Sequence, residues 1–85
     1  MALRFVYTNR AKKELNEVPP ADRQRIVRRV EAYAAEPDAP RHDVRRLVNT
    51  SPGYRLRVGN WRVLFDIDGE IMDIQRVLHR REAYR

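Results

Sequence analysis

Residues 54–67, Tyr-Arg-Leu-Arg-Val-Gly-Asn-Trp-Arg-Val-Leu-Phe-Asp-Ile, decide the fold of this chain. Apolar and polar residues alternate on both sides of Gly59-Asn60, and a period of two is typical of β-strands with one buried face. Gly-Asn is a two-residue hairpin signal, because glycine readily takes a positive backbone φ angle. A second turn signal, Asp68-Gly69, leads into residues 70–78. The sequence therefore predicts three antiparallel strands in a meander.

A two-residue loop also fixes the register, and residues that oppose each other share a face of the sheet. Around Gly59-Asn60 the predicted pairs are Val58 with Trp61, Arg57 with Arg62, Leu56 with Val63, Arg55 with Leu64, and Tyr54 with Phe65. Around Asp68-Gly69 they are Phe65 with Met72, Val63 with Ile74, and Arg62 with Gln75. The predicted core face carries Tyr54, Leu56, Val58, Trp61, Val63, Phe65, Met72 and Ile74. The opposite face carries Arg55, Arg57, Arg62, Gln75, Val77 and His79.

The arginines of this second face suggest a binding site. Arg57 and Arg62 are predicted cross-strand neighbours, and like charges in that arrangement destabilise a sheet. An anion over the pair relieves the repulsion, and the planar fork of arginine suits phosphate. The alternative is a solvated strand face whose long side chains splay apart. Three arginines beside His79, a residue that titrates near neutral pH, favour a site for a phosphodiester backbone.

Composition narrows the class of protein. The chain has 85 residues, which we expect to form one domain over residues 1–85. It has no cysteine and two histidines, so neither a disulfide framework nor a zinc site is expected, and no cofactor. The start has no apolar stretch of the length of a signal peptide or membrane span, which predicts a cytoplasmic protein. A net charge of +6 is typical of partners that are nucleic acids or acidic proteins.

The first half of the chain predicts a strand over residues 3–8 and two helices. Thr8 or Asn9 caps the first helix and Pro19 stops it. Pro20 opens the second helix, which ends near Pro37. Its apolar stripe consists of Ile26, Val30, Tyr33 and Ala34. The predicted fold is therefore α+β, with the helix pair covering one face of an antiparallel sheet and the arginine face left open.

Two further segments bear on the site. Arg45 and Arg46 start or precede a strand next to the hairpin and extend its positive field, so we expect them, with Gln75, to contact RNA if RNA is the ligand. Residues 79–85 are expected to leave the last strand as a polar tail.

Residues 54–65, the Asp68-Gly69 turn, and Val-Leu-His-Arg-Arg-Glu-Ala-Tyr at positions 77–84 resemble the RelE/ParE superfamily of type II toxins, most closely its RelE branch. The resemblance covers nearly the whole chain. It implies a toxin that a co-expressed antitoxin neutralises and that cleaves mRNA in the ribosomal A site without a metal. It also implies attack by the ribose 2′-OH on the adjacent phosphate, leaving a 2′,3′-cyclic phosphate.

The resemblance also assigns roles to residues. Arg55 and Arg57 match basic strand residues of the family site, and Arg62 matches an arginine that clamps the phosphate. Arg80 or Arg81 matches a basic residue near the leaving group, and Tyr84 matches a terminal aromatic that orients or stacks on a base. Because arginine effectively never deprotonates, His79 is the candidate acid or base. Alternatively, positioning and charge stabilisation dominate and the ribosome contributes groups.

Two other functions stay open for the same fold. One is a ParE-like toxin that inhibits DNA gyrase without catalysis, although the residues His79, Arg80, Arg81 and Tyr84 favour the nuclease. The other is an inert homologue that binds only nucleic acid or its antitoxin.

Overall fold

The computed structural model describes residues 2–83. Within them the chain forms five strands and three helices. In order these are β1 (Arg4–Tyr7), α1 (Asn9–Glu17), α2 (Pro20–Ala35), β2 (Val44–Arg46), β3 (Tyr54–Val58), β4 (Trp61–Asp68), β5 (Ile71–His79) and α3 (Arg80–Ala83). The predicted strand, helix pair and meander are confirmed. Of the predicted polar tail over residues 79–85, His79 instead ends β5 and residues 80–83 form the short helix α3.

The strands form one sheet in the order β1-β5-β4-β3-β2. The last strand, β5, pairs in parallel with the first, β1, and the other neighbouring strands pair antiparallel. All five predicted pairs of the β3–β4 hairpin are present, from Val58 with Trp61 to Tyr54 with Phe65. Gly59 has a φ of 59°, as its loop position requires.

Local sequence signals set the limits of the two long helices. The Thr8 hydroxyl accepts a hydrogen bond from the backbone amide of Ala11, so Thr8 caps α1. Arg23 of α2 donates to the carbonyl oxygens of Leu15, Asn16 and Val18, at 3.1, 2.9 and 3.0 Å. These three carbonyls lie at the C-terminal end of α1, so Arg23 locks the two helices together.

The core lies between the helix pair and one face of the sheet. The predicted stripe of α2, Ile26, Val30, Tyr33 and Ala34, is buried. The sheet contributes Leu56, Val58, Val63, Phe65, Met72, Ile74 and Val77. Tyr54 stacks on Phe65 with ring centroids 5.4 Å apart. Trp61 and Tyr54 pack against this core, as predicted. None of the helices in the described part of the chain is long and apolar enough to cross a membrane.

The predicted register of the β4–β5 hairpin was wrong. The loop consists of Gly69 and Glu70, because Gly69 takes the positive φ, 61°, of the first loop position and Asp68 pairs with Ile71. Phe65 therefore opposes Ile74. A bulge opposite Leu64 and Phe65 then moves the rest of β5 by one residue, so Val63 opposes Val77. Val77 is consequently in the core, where the sequence had placed it on the opposite face.

Helix α1 covers the edge of β5 beyond the end of β1. The Thr8 hydroxyl donates to the Gln75 carbonyl at 3.3 Å, and Glu14 accepts the backbone amide of Val77 at 2.9 Å. The same carboxylate binds Arg76 through Nε and Nη2, at 3.1 and 2.9 Å. Backbone groups that no strand pairs are thus satisfied by one helix.

Tyr7 on β1 carries a hydroxyl that is buried and that makes no hydrogen bond within residues 2–83. Burial, and secondarily the charge of Glu31, raises the pKa of Tyr7 from 10.0 to about 12. Between these two pH values the unfolded chain loses the proton that the folded chain still holds. The contribution of the Tyr7 hydroxyl to the free energy of unfolding is fully present below pH 10 and is lost as the pH rises toward 12.

Replacing Tyr7 by Phe removes both the unsatisfied hydroxyl and the loss of stability that it causes at alkaline pH. We expect Tyr7→Phe to fold as stably as the wild type at neutral pH, and to gain on it as the pH rises from 10 to about 12. Urea unfolding at several pH values measures the difference in the free energy of unfolding. A constant difference across that range would contradict the burial of the hydroxyl.

Candidate functional site

Arginines from three neighbouring strands share the sheet face opposite the helix pair. Arg45 of β2 opposes Arg55 of β3, and Arg57 of β3 opposes Arg62 of β4. Like charges directly opposed across strands destabilise a sheet unless something neutralises them. The structure thus confirms that Arg55, Arg57 and Arg62 lie on one face, and it adds Arg45 to them. We call these four residues the arginine face.

The arginine face has a buried floor and an exposed rim. Arg55 and Arg62 are only 8% and 4% exposed, whereas Arg45 and Arg57 are exposed. The expectation that this face is fully open was therefore wrong for two of its residues. The neighbours that the register supplies are Leu64 opposite Arg55 and Leu78 opposite Arg62, and Leu78 is itself buried. Long arginine stems pack readily along such apolar surface.

The guanidinium of Arg62 is held by the tip of the β3–β4 hairpin. Its Nη1 donates to the carbonyl oxygens of Gly59 and Trp61, both at 2.9 Å. Burying a guanidinium costs much free energy unless hydrogen bonds compensate, and these carbonyls provide that compensation. Arg62 therefore carries a fixed positive charge beneath the face, in surroundings less polar than water.

Arg57 has a weak anionic partner in the structure. Its Nε lies 3.9 Å from Oδ2 of Asp43, and the two side chains are 54% and 53% exposed. An ion pair this exposed contributes little stability. A phosphate approaching from solvent can therefore replace Asp43 at low cost. Sequence reasoning missed Asp43, because its position beside Arg57 depends on the register of β2, which the sequence did not determine.

Helix α3 brings two more arginines to the same end of the sheet. The backbone amide of Arg80 donates to the carbonyl of Asn60 at 2.7 Å, which ties α3 to the β3–β4 turn. Arg80 and Arg81 are both exposed. Tyr84, the predicted stacking residue, lies outside the described residues.

His79 is not on the arginine face, and that placement was wrong. The bulge in β5 makes His79 oppose Trp61, so it shares the helix-covered side of the sheet. Its ring meets Trp61 edge to face at 5.3 Å, and its Nδ1 accepts the backbone amide of Arg81 at 3.3 Å. The role of His79 as acid or base stays a prediction.

Gln75 and Arg46 also lie away from their predicted positions. Gln75 does not oppose Arg62; its amide donates to Asp66 at 2.8 Å. Arg46 opposes Tyr54 and lies over its ring at 5.9 Å, so it faces the helix side, whereas Arg45 faces the arginines. Alternation places only one of two consecutive residues on a given face.

The other end of the arginine face is acidic. Asp66 opposes Asp73, and Asp66 also accepts the backbone amide of Gly53 at 2.6 Å and the hydroxyl of Ser51 at 3.2 Å. The face is therefore polarised, positive toward the β3–β4 turn and negative toward the β4–β5 turn. A polyanion is attracted to one end only. Within residues 2–83 no group of three or more histidines and acidic residues is arranged to hold a metal ion.

Comparison with known proteins identifies the family of the chain. A family described as the ParE toxin of the type II toxin-antitoxin system, parDE, matches residues 5–84. The chain belongs to this family, within the RelE/ParE superfamily.

Named relatives point to the RelE branch. Putative toxin RelE1 of Methanocaldococcus jannaschii is 28% identical over 79 residues, covering 89% of this chain and 88% of the relative. Toxin RelE3 of the same organism is 36% identical over 42 residues, about half of each chain (49% and 48%). The structure of a RelB-RelE antitoxin-toxin complex from Methanococcus jannaschii aligns with a TM-score of 0.76 and 27% identity, over 93% of this chain and 94% of that one. The chain is thus a toxin of the type II ParE family whose similar relatives and solved structures carry the name RelE.

The two hairpin glycines offer a matched pair of substitutions. Both have a positive φ, 59° at Gly59 and 61° at Gly69, so alanine at either is expected to cost about 1–2 kcal/mol of stability. A Cβ at Gly59 also comes within 3.3 Å of Nη1 of Arg25, whereas one at Gly69 meets nothing within 4 Å.

We expect Gly59→Ala to disturb the amide NMR signals of Arg62 and Arg80, because the carbonyls of this turn hold both residues. Gly69→Ala, at the acidic end, should leave those signals unchanged at a similar loss of stability. Equal disturbance by both variants would contradict the role of the β3–β4 turn.

Proposed function

We propose that this toxin is an endoribonuclease that cleaves mRNA on the ribosome, in the A site, and so inhibits translation. The observation that carries the proposal is the arginine face, where two like-charged cross-strand pairs stand at one end of the sheet beside the arginines of α3. A phosphodiester backbone supplies the anions that such a face favours.

The proposed reaction is attack by a ribose 2′-OH on the adjacent phosphate, with loss of the 5′ oxygen and formation of a 2′,3′-cyclic phosphate. No metal takes part. The exposed Arg45 and Arg57 contact phosphate oxygens directly, while Arg55 and Arg62 add positive charge from below. Charge grows on these oxygens in the transition state, and one well-placed donor is worth about 3 kcal/mol by analogy with oxyanion holes. Arg80 or Arg81 lies near the leaving oxygen.

None of the four arginines that define the arginine face can serve in the proton transfers. Arginine does not deprotonate in proteins, and His79 lies on the other side of the sheet. The arrangement therefore supports the version of the mechanism in which charge stabilisation and positioning dominate and the ribosome supplies groups. This version predicts weak cleavage of free RNA.

A cognate antitoxin is the second proposed partner. Solved structures similar to this chain include antitoxin-toxin complexes from Methanococcus jannaschii and Pyrococcus horikoshii. An acidic segment that masks the arginine face would neutralise this toxin, whose net charge is +6. Such masking blocks RNA and ribosome binding together.

Inhibition of DNA gyrase is the second candidate function. It is favoured by the description of the matching family, which names the ParE toxin. Primer extension on a translated mRNA after induction separates the two. Cuts phased with codons that vanish when initiation is blocked support the nuclease, whereas intact transcripts with altered plasmid supercoiling support gyrase as the target.

The arginine face can be tested with a charge-matched pair of variants. Arg57→Ala removes a half-exposed rim residue, and we expect it to lower the cleavage rate about 10²-fold without loss of stability. Arg28→Ala removes the same charge from an exposed position on α2 and should cleave like the wild type. Cleavage of mRNA on purified ribosomes measures both, and equal activity of the two variants would contradict a direct role of the face.

Arg62→Ala is expected to reduce activity more than Arg57→Ala, but it can also affect folding. We expect it to abolish growth inhibition, since it removes the fixed charge beneath the face. Circular dichroism and thermal unfolding must show that the variant folds, because Arg62 also bonds the hairpin tip. A folded Arg62→Ala protein that stays fully toxic would rule out the arginine-face mechanism.

A further inference from the structure

The first turn of α3 is held at two backbone amides. The amide of Arg80 donates to the carbonyl of Asn60 at 2.7 Å, and the amide of Arg81 donates to Nδ1 of His79 at 3.3 Å. The first amides of a helix have no partner inside it, so external acceptors decide where the helix starts and which way it points. His79, the residue just before α3, acts as its N-cap.

The ring of His79 is itself held in place. It meets Trp61 edge to face, with ring centroids 5.3 Å apart at an angle of 83°. The indole Nε1 of Trp61 donates to Oδ2 of Asp22, in the first turn of α2, at 3.1 Å. A chain of contacts therefore runs from α2 through Trp61 and His79 to the start of α3.

The hydrogen bond from Arg81 also limits the chemistry of the imidazole. A nitrogen that accepts a backbone N–H uses its lone pair, so this contact requires that Nδ1 of His79 carries no proton. Taking up a proton at Nδ1 breaks the contact with Arg81. The ring also lies on the side of the sheet away from the arginine face.

From these contacts we propose that His79 is a positioning residue for the nuclease: its Nδ1 fixes the amide of Arg81 and thereby sets Arg80 and Arg81 beside the β3–β4 turn. This inference rests on the proposed function. It assigns His79 no proton transfer, and it makes Trp61 the residue that orients the His79 ring. Asparagine at position 79 can fill the same role, because its side-chain oxygen is among the best helix N-caps.

The test compares His79→Asn with His79→Ala in mRNA cleavage on ribosomes. We expect the Asn variant to keep the wild-type rate within a few-fold, since it keeps the acceptor. The Ala variant should lose about tenfold or more, mainly in kcat, because α3 is no longer fixed and small misplacements cost rate. If His79 is instead a general acid or base, both variants lose about 10²- to 10⁴-fold alike, and the positioning role is overturned.

A structural readout accompanies the rates. Hydrogen exchange at the Arg81 amide should be slowed in the wild type and His79→Asn but not in His79→Ala. Equal exchange in all three overturns the capping contact. The wild type is the reference for activity, and Arg57→Ala is the reference for a weakened site. If the wild type does not cleave ribosome-bound mRNA, the proposed function is refuted. If the wild type cleaves but His79→Asn is inactive, only the positioning role is refuted. Unfolding midpoints must match between the two His79 variants.

Discussion

The tight turn at Gly59-Asn60 is the constraint on which the rest of the structure depends. Gly59 supplies the positive φ, and the resulting register sends Leu56, Val58 and Val63 to the core while gathering the arginines on the other face. The carbonyls of Gly59 and Trp61 hold the Arg62 guanidinium, and that of Asn60 holds the start of α3. One turn thus sets the register, orients a buried cation and anchors the last helix.

The two hairpins show what the sequence could and could not determine. The β3–β4 register follows from alternation and a two-residue loop, and it was predicted pair by pair. The β4–β5 register failed because Asp68-Gly69 suited the loop as well as Gly69-Glu70, and because a bulge at Leu64 and Phe65 leaves no signal in the alternation. The bulge decides the side of the sheet on which Val77 and His79 lie.

The site could be predicted from the sequence only as far as it depends on the β3–β4 hairpin. The common face of Arg55, Arg57 and Arg62 follows from the first hairpin, but their different burial does not. It depends on where β2 pairs and on what packs around Leu64 and Leu78, which are matters of tertiary structure. The result is a face on which two arginines are buried and two are exposed to solvent. In the proposed nuclease, the buried charges need no reorganisation when a phosphate binds, and the exposed ones make the first contact with it.

The contacts along the edge of β5 bear on whether the protein self-associates at high concentration. Where β1 ends, Thr8 and Glu14 occupy backbone groups that another polypeptide would otherwise pair with. Arg76 binds the same carboxylate, so the edge presents a neutralised ion pair instead of an open ladder. The longest strand of the sheet is thereby closed to strand addition over its second half, and self-association through β5 is discouraged while the arginine face stays exposed to solvent at Arg45 and Arg57.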